Sequence, residues 1–96
     1  ALTYVNYIRE RAWIEPIGLA QLTPDNILDE RSRELYGENC RRTDLVRHGK
    51  YAGGNYNWNW KGNVGDGGTA TPQHMDIFPI PSTVISFQGY KQNPGY

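Results

Sequence analysis

Two groups of residues in this 96-residue chain have types and spacings suited to chemistry. The first is the carboxylate pair Glu34 and Glu38, four residues apart and so on one face of a helix. Glycoside hydrolysis uses two carboxyl groups about 5–9.5 Å apart, and i, i+4 neighbours meet that on distance alone. A general acid must keep its proton at neutral pH, however. Glu34 and Glu38 are interleaved with Arg31, Arg41 and Arg42, and close guanidinium groups keep carboxylates ionised. The pair therefore reads as part of an ion-pair lattice, with a carbohydrate-active enzyme using Glu34 and Glu38 as the alternative.

The second group lies in the stretch 50–71, which is rich in Gly, Asn and aromatics. Tyr and Trp present flat apolar faces with polar edges, the C–H faces of sugar rings stack on them, and Asn, Asp and Lys bond to hydroxyls. Tyr56, Trp58, Asn59, Trp60 and Asp66 are the candidate carbohydrate contacts. Asn57-Trp58-Asn59-Trp60 alternates, so an extended backbone there presents both indoles on one side. The alternative is that these aromatics dock the loop onto the helices or onto other protein.

No other constellation carries chemistry. His48 and His74 are too far apart in sequence for a metal-ligand spacing, and Cys40 is alone, which leaves no internal disulfide or multi-cysteine zinc site. Gly65-Asp66-Gly67-Gly68 lacks the following Lys-Ser/Thr and the preceding strand of a phosphate loop. No serine stands in a nucleophile elbow. The sequence thus offers no catalytic residue, metal site or cofactor site.

The elements that must position these groups are mainly helical. A first helix runs from Ala1 to about Ile14, with Ala1, Tyr4, Val5, Ile8 and Ala12 on one face and Asn6, Arg9, Glu10 and Trp13 on the other. Pro16 and Gly18 end it. Thr23-Pro24-Asp25 starts a second helix, with a hydroxyl cap, proline at the first position and an acidic residue facing the dipole. This helix continues to about Tyr36. Ile27, Leu28 and Leu35 share a face with Arg31, Glu34, Glu38 and Arg42. Charges on an apolar stripe are costly unless each finds a partner. The expectation is a partly buried network of Glu30, Arg31, Glu34, Glu38, Arg41, Arg42, Asp44 and Arg47. In it Arg31 sits between Glu34 and Glu38, and Asp44 and Arg47 join after a break at Gly37. Asp44 to Arg47 forms a short helical turn closed by Gly49. The tail, with Pro79 and Pro81 among Ile77, Phe78 and Ile80, is expected to lie extended, with Ser82 to Ile85 adding one turn. Residues 1–96 thus read as one segment: a helical scaffold at 1–49, a Gly/aromatic loop at 50–75 and an extended tail at 76–96.

Composition bounds the function. Leu, Ile, Val and Phe make up just under one fifth of the residues, near the level where a chain struggles to build a core. The net charge is zero, which argues against nucleic acid as a partner. No apolar run approaches the length of a bilayer span. The chain opens inside a helical pattern without an initiator Met, a signal peptide or a cap, so the expectation is the C-terminal part of a longer polypeptide that buries its faces against the remainder.

One stretch carries a resemblance. Asp29-Glu30-Arg31, Arg33-Glu34-Leu35, Glu38, Arg41 or Arg42, Asp44-Leu45 and Arg47-His48-Gly49 stand in the order of the C-terminal signature of the SusD/RagB family. Asn6-Tyr7-Ile8-Arg9-Glu10-Arg11-Ala12 resembles that family's Asn-x-x-Arg-x-Arg-Ala helix. Phe78-Pro79-Ile80-Pro81 and Gln92-Asn93-Pro94-Gly95-Tyr96 resemble its closing motifs. His48 departs from the aromatic usual before the glycine. The resemblance implies a C-terminal fragment of a SusD-like fold, mainly α, with a tetratricopeptide-like scaffold: here two to three helices, a long irregular loop and an extended tail. It further implies a surface-exposed lipoprotein of the outer membrane that binds a glycan or other nutrient, without catalysis. The implied partners are a SusC-type TonB-dependent transporter and the remainder of the polypeptide, and the membrane is met only through a lipid anchor outside this segment. A purely structural or transporter-contact segment is the further alternative.

Overall fold

Helix formation begins at once. Helix α1 spans Leu2–Arg11 and ends where Ala12 leaves helical geometry and Trp13 takes a positive φ of 58°. The computed structural model describes all 96 residues apart from the side chain of Gln88. After α1 the chain turns back through a 3-10 turn at Leu19–Gln21. Polar side chains tie the connector to the helix. The Asn6 amide clamps Ile17, donating to its carbonyl at 3.0 Å and accepting from its N–H at 2.8 Å, and Arg9 donates to the Glu15 carbonyl. Asn6 and Arg9 are therefore half-buried, whereas Tyr4 is 77% exposed. Val5 and Ile8 of the apolar face are half-buried as well, and Glu10 and Trp13 are exposed, so neither face that periodicity assigns to α1 is buried as a unit. The connector's backbone groups need partners, and the two polar side chains supply them.

Helix α2 is Pro24–Glu34. Thr23 caps it, its hydroxyl accepting from the Asn26 N–H at 3.2 Å, with Pro24 at the first position and Asp25 in the first turn. It stops at Glu34, two residues short of the expected end. A turn over Leu35–Asn39 follows, with Gly37 at φ 82° and Asn39 at φ 61°. Helix α3, Arg41–Arg47, then packs on α2 and closes at His48 and Gly49. Leu28 of α2 and Leu45 of α3 are the buried apolar centre, 1% and 2% exposed. Arg41 reaches across to the Leu28 carbonyl at 3.0 Å.

The chain divides into two compact units, Ala1–His48 and Gly49–Tyr96. In the second, an antiparallel bridge joins Gly53 to Thr71 through an N–H···O bond of 2.7 Å and closes the aromatic loop at its base. A 3-10 turn at Gln73–Asp76 leads to Pro79 and Pro81, and helix α4, Ser82–Gln88, follows. This helix is longer than the one turn expected in the tail. Proline just before its first residue and Gly89 in the left-handed region after its last set its limits.

The last residues fold back over the preceding segment. Gln92 acts toward Ile80 as a neighbouring strand does, accepting from its N–H at 2.8 Å and donating to its carbonyl at 2.9 Å. Asn93 donates to the Phe78 carbonyl and Tyr96 to that of Ile77, while the Tyr96 ring meets His74 edge-on at 4.6 Å. Gly95 has φ 96°, and a Cβ there would stand 2.6 Å from the His74 ring, so this close approach requires glycine. Among the described residues there are four α-helices and no strand, as in a mainly α SusD-like fragment.

Candidate functional site: an aromatic loop and an ionic clasp

The aromatic loop is built around one lysine. Lys61 is 3% exposed, although lysine is almost never buried without a partner. Its ammonium donates to the Gly53 carbonyl at 3.2 Å, the Tyr56 carbonyl at 2.8 Å and Asn57 Oδ1 at 3.2 Å. The same nitrogen lies over the Trp58 ring, 4.9 Å from its centroid. The backbone of Lys61 works in the other direction: its N–H donates to the Trp58 carbonyl and its carbonyl accepts from Thr69. Outgoing and returning limbs of the loop thus meet at a single residue. Gly68 makes the crossing possible. It has φ 61°, and a Cβ there would stand 2.2 Å from the Trp58 carbonyl oxygen.

Among the sequence candidates, Tyr56 and Trp58 are brought together, their rings 5.9 Å apart and tilted by 54°. Lys50 lies over the Tyr56 ring at 5.3 Å. Trp58 is 39% exposed and Trp60 73%. The run 57–60 is not extended. Asn59 and Trp60 sit in a turn, and Trp60 has φ 73°, because its N–H turns inward to the Val64 and Gly65 carbonyls. The alternation in the sequence therefore does not set where the two indoles face. Asn59 Oδ1 accepts from the Gly67 N–H at 3.0 Å, which closes the loop internally. Asp66 is exposed. Sequence reasoning passed over Lys61 as the hub. The signal was there, in a lysine next to Trp60 with no acidic residue within four positions on either side.

The ionic residues are arranged differently from the expected lattice. Arg31 does not sit between Glu34 and Glu38. Its Nε donates to Asp44 Oδ2 at 2.9 Å, joining α2 to α3. Glu34 pairs with Arg11 of α1, and Glu30 takes both Arg9 and Arg33. Glu38 is exposed on the turn after α2. The reason is where α2 ends: once helical winding stops at Glu34, Glu38 is no longer one turn above it. Arg41 serves the Leu28 carbonyl, Arg42 is half-buried, and Arg47 lends its positive field to Asp44.

Asp44 is the buried member of the clasp, its side chain 4% exposed against 41% for Arg31. The hydrogen bond from Arg31 holds its carboxyl below the usual aspartate value, against the opposing effect of burial, with Arg47 and His48 adding to the lowering. The same bond holds the Arg31 guanidinium above its ordinary value. A cleft of about 310 Å³ borders the clasp, lined by Arg31, Leu35, Tyr36, Cys40 and Asp44 among others.

Glu34 is bound to Arg11 and Glu38 lies exposed on the turn after α2, so helical register does not set one carboxylate over the other. No group of three or more His, Cys, Asp or Glu side chains suited to a metal ion occurs among the described residues, and no helix there is long and apolar enough to cross a membrane.

The geometry gives a reason for each sequence motif. Asn6, Arg9 and Arg11 tie α1 to the connector and to α2, Arg31 and Asp44 clasp α2 to α3, and Gln92, Asn93 and Tyr96 latch the tail. Comparison with known proteins agrees. The starch-binding protein SusD of Bacteroides thetaiotaomicron is 36% identical over 93 residues, covering 96% of this chain and 16% of that protein. The chain thus spans less than a fifth of the length of the curated relative it matches. The description of the SusD family matches residues 1–96, from first to last, and the chain belongs to that family.

Proposed function

We propose that these 96 residues are the C-terminal segment of a cell-surface glycan-binding protein, and that their aromatic loop contributes sugar contacts. The observation that carries this reading is a preformed loop with partly exposed indoles, Trp58 and Trp60, in a chain whose relative is named a starch-binding protein. Sugar rings stack on such faces while hydroxyls bond to polar edges. Trp58 and Tyr56 form the ordered part of the surface, Trp60 the more open part, and Asp66 and the amide nitrogen of Asn59 the hydroxyl partners. Binding proceeds without turnover, since the charged residues serve the scaffold. Helices α1 to α3 belong to a tetratricopeptide-like layer completed by the remainder of the polypeptide. In the full protein, a lipid-anchored surface location and hand-over of the oligosaccharide to a TonB-dependent transporter complete the function.

The test is calorimetric titration of the full-length protein with a panel of soluble polysaccharides, comparing wild type with the Trp58→Ala, Trp60→Ala double variant. Loss of about 1–3 kcal/mol of binding is expected on the scale of one lost stacking contact. Unchanged affinity refutes sugar contact here. Weakened transporter association in the same variant then assigns the loop to that interface.

A further inference from the structure

We infer that Lys61 is a positioning residue for ligand capture: its buried ammonium is the internal cation around which the loop folds, and it fixes the Trp58 ring in the orientation that meets the sugar. The inference rests on the proposed glycan-binding role of the loop. An ammonium group has three N–H donors, and here each has its own oxygen, from Gly53, Tyr56 and Asn57. These acceptors lie on the outgoing limb, in three different peptide units or side chains. No carboxylate takes part. Three neutral oxygens with the Trp58 face beside them form a cage of the kind that recognises alkylammonium ions. The chain supplies that ion from within.

The geometry explains why a cation is needed rather than an apolar side chain. Two of the acceptors are backbone carbonyls of a segment with little regular pairing besides the Gly53–Thr71 bridge. Unsatisfied carbonyls that converge in one place repel each other and are costly to bury. Lys61 satisfies both, and its stem and charge lie against Trp58. With that contact in place, Trp58 keeps 39% of its surface exposed, and the cation beside the ring restrains it ahead of binding, which otherwise has to freeze its rotamers.

The experiment is a chemical-rescue titration on the full-length protein. Lys61→Met keeps the stem and removes three donors; Lys61→Ala also opens the space the stem occupied. Trp58 is followed by fluorine NMR on fluorotryptophan-labelled protein, its resonance assigned with Trp58→Phe, and affinity for the best polysaccharide is measured in parallel. Expected are a broadened or shifted Trp58 resonance in both variants and a loss of affinity of about tenfold or more, the scale of a lost charged hydrogen bond. In Lys61→Ala, n-propylammonium restores both signals and n-propanol, its neutral analogue, restores neither. A wild-type Trp58 resonance with wild-type affinity in Lys61→Met overturns the inference, as does equal rescue by the alcohol. If the Trp58 resonance shifts and is rescued by the cation while affinity does not change in Lys61→Met or in Trp58→Phe, the ordering role stands and the sugar-binding reading fails. Should Lys61→Met not fold, Asn57→Ala removes one acceptor and no backbone group. A smaller shift with a smaller affinity loss supports the inference, and no change in either overturns it.

Discussion

Replacing Arg31 with Met tests the reasoning about the clasp most directly. The methionine keeps much of the stem and removes the guanidinium, leaving Asp44 with a side chain 4% exposed and no hydrogen-bond donor at 2.9 Å. Stranding one partner of a fully buried ion pair costs about 3–5 kcal/mol. An exposed pair is worth only about 0.2–1 kcal/mol. This pair lies between those limits, because the Arg31 side chain is 41% exposed and borders the cleft, so solvent screens its side of the interaction. A charged hydrogen bond contributes about 1.5–3 kcal/mol, and the desolvated carboxylate adds to that, which sets the expectation at about 2–4 kcal/mol. The measurement is hydrogen exchange on the full-length protein, read at the amides of α2 and α3. There the loss corresponds to opening roughly thirty-fold to several-hundred-fold faster. Adding Asp44→Asn to the Arg31 variant should recover part of the loss, since the stranded charge goes with it. A loss below about 1 kcal/mol, or a double variant as weak as the sum of the singles, would falsify the claim that Asp44 depends on Arg31.

Asp44 has its folded pKa lowered, so its contribution to stability is fully present above the unfolded value of about 4 and is lost as pH falls through the folded value. The gap in α3 protection between wild type and Asp44→Asn should therefore shrink as pH falls below about 4; a gap that widens there refutes the sign. Gly95→Ala places a Cβ 2.6 Å from the His74 ring at φ 96°, and should loosen the tail latch by about 1–3 kcal/mol. The readout is the Ile80 amide, held by Gln92, and unchanged exchange there means the latch does not depend on the close approach.

What the sequence conveyed follows from how local the cause was. The start of α2 was readable because Thr23, Pro24 and Asp25 act within one turn, and the cap bond to Asn26 is the local contact they imply. The end of α2 was not. Leu35 and Tyr36 continue a helical pattern, and the stop comes from Gly37 and Asn39 taking positive φ. That early stop takes Glu38 out of the helical register, while Glu34 stays within α2 and pairs with Arg11 instead of Arg31. On α1 the apolar and polar faces hold only in part, Asn6 and Arg9 being half-buried beside Val5 and Ile8, for a different reason. The helix is only weakly amphipathic, and the deciding contacts run from Asn6 to Ile17 and from Arg9 to Glu15 and Glu30. In the loop, the aromatic residue types were legible and their arrangement was not. Lys61 bonds backwards to oxygens four, five and eight residues away, a pattern to which no periodicity corresponds.

The short N–H···O bond from Gly53 to Thr71 has a consequence for how such a chain can change over generations. With the stem of the loop fastened, everything between is thermodynamically cheap to lengthen or shorten, because doubling a closed loop costs only about 0.6 kcal/mol of entropy. The stretch can thus tolerate insertion and deletion while the helices keep their clasp. The condition is that an incoming sequence carry its own replacement for the Lys61 cation and its cage. Without one, a segment of the right length would sit in place as an unstructured flap.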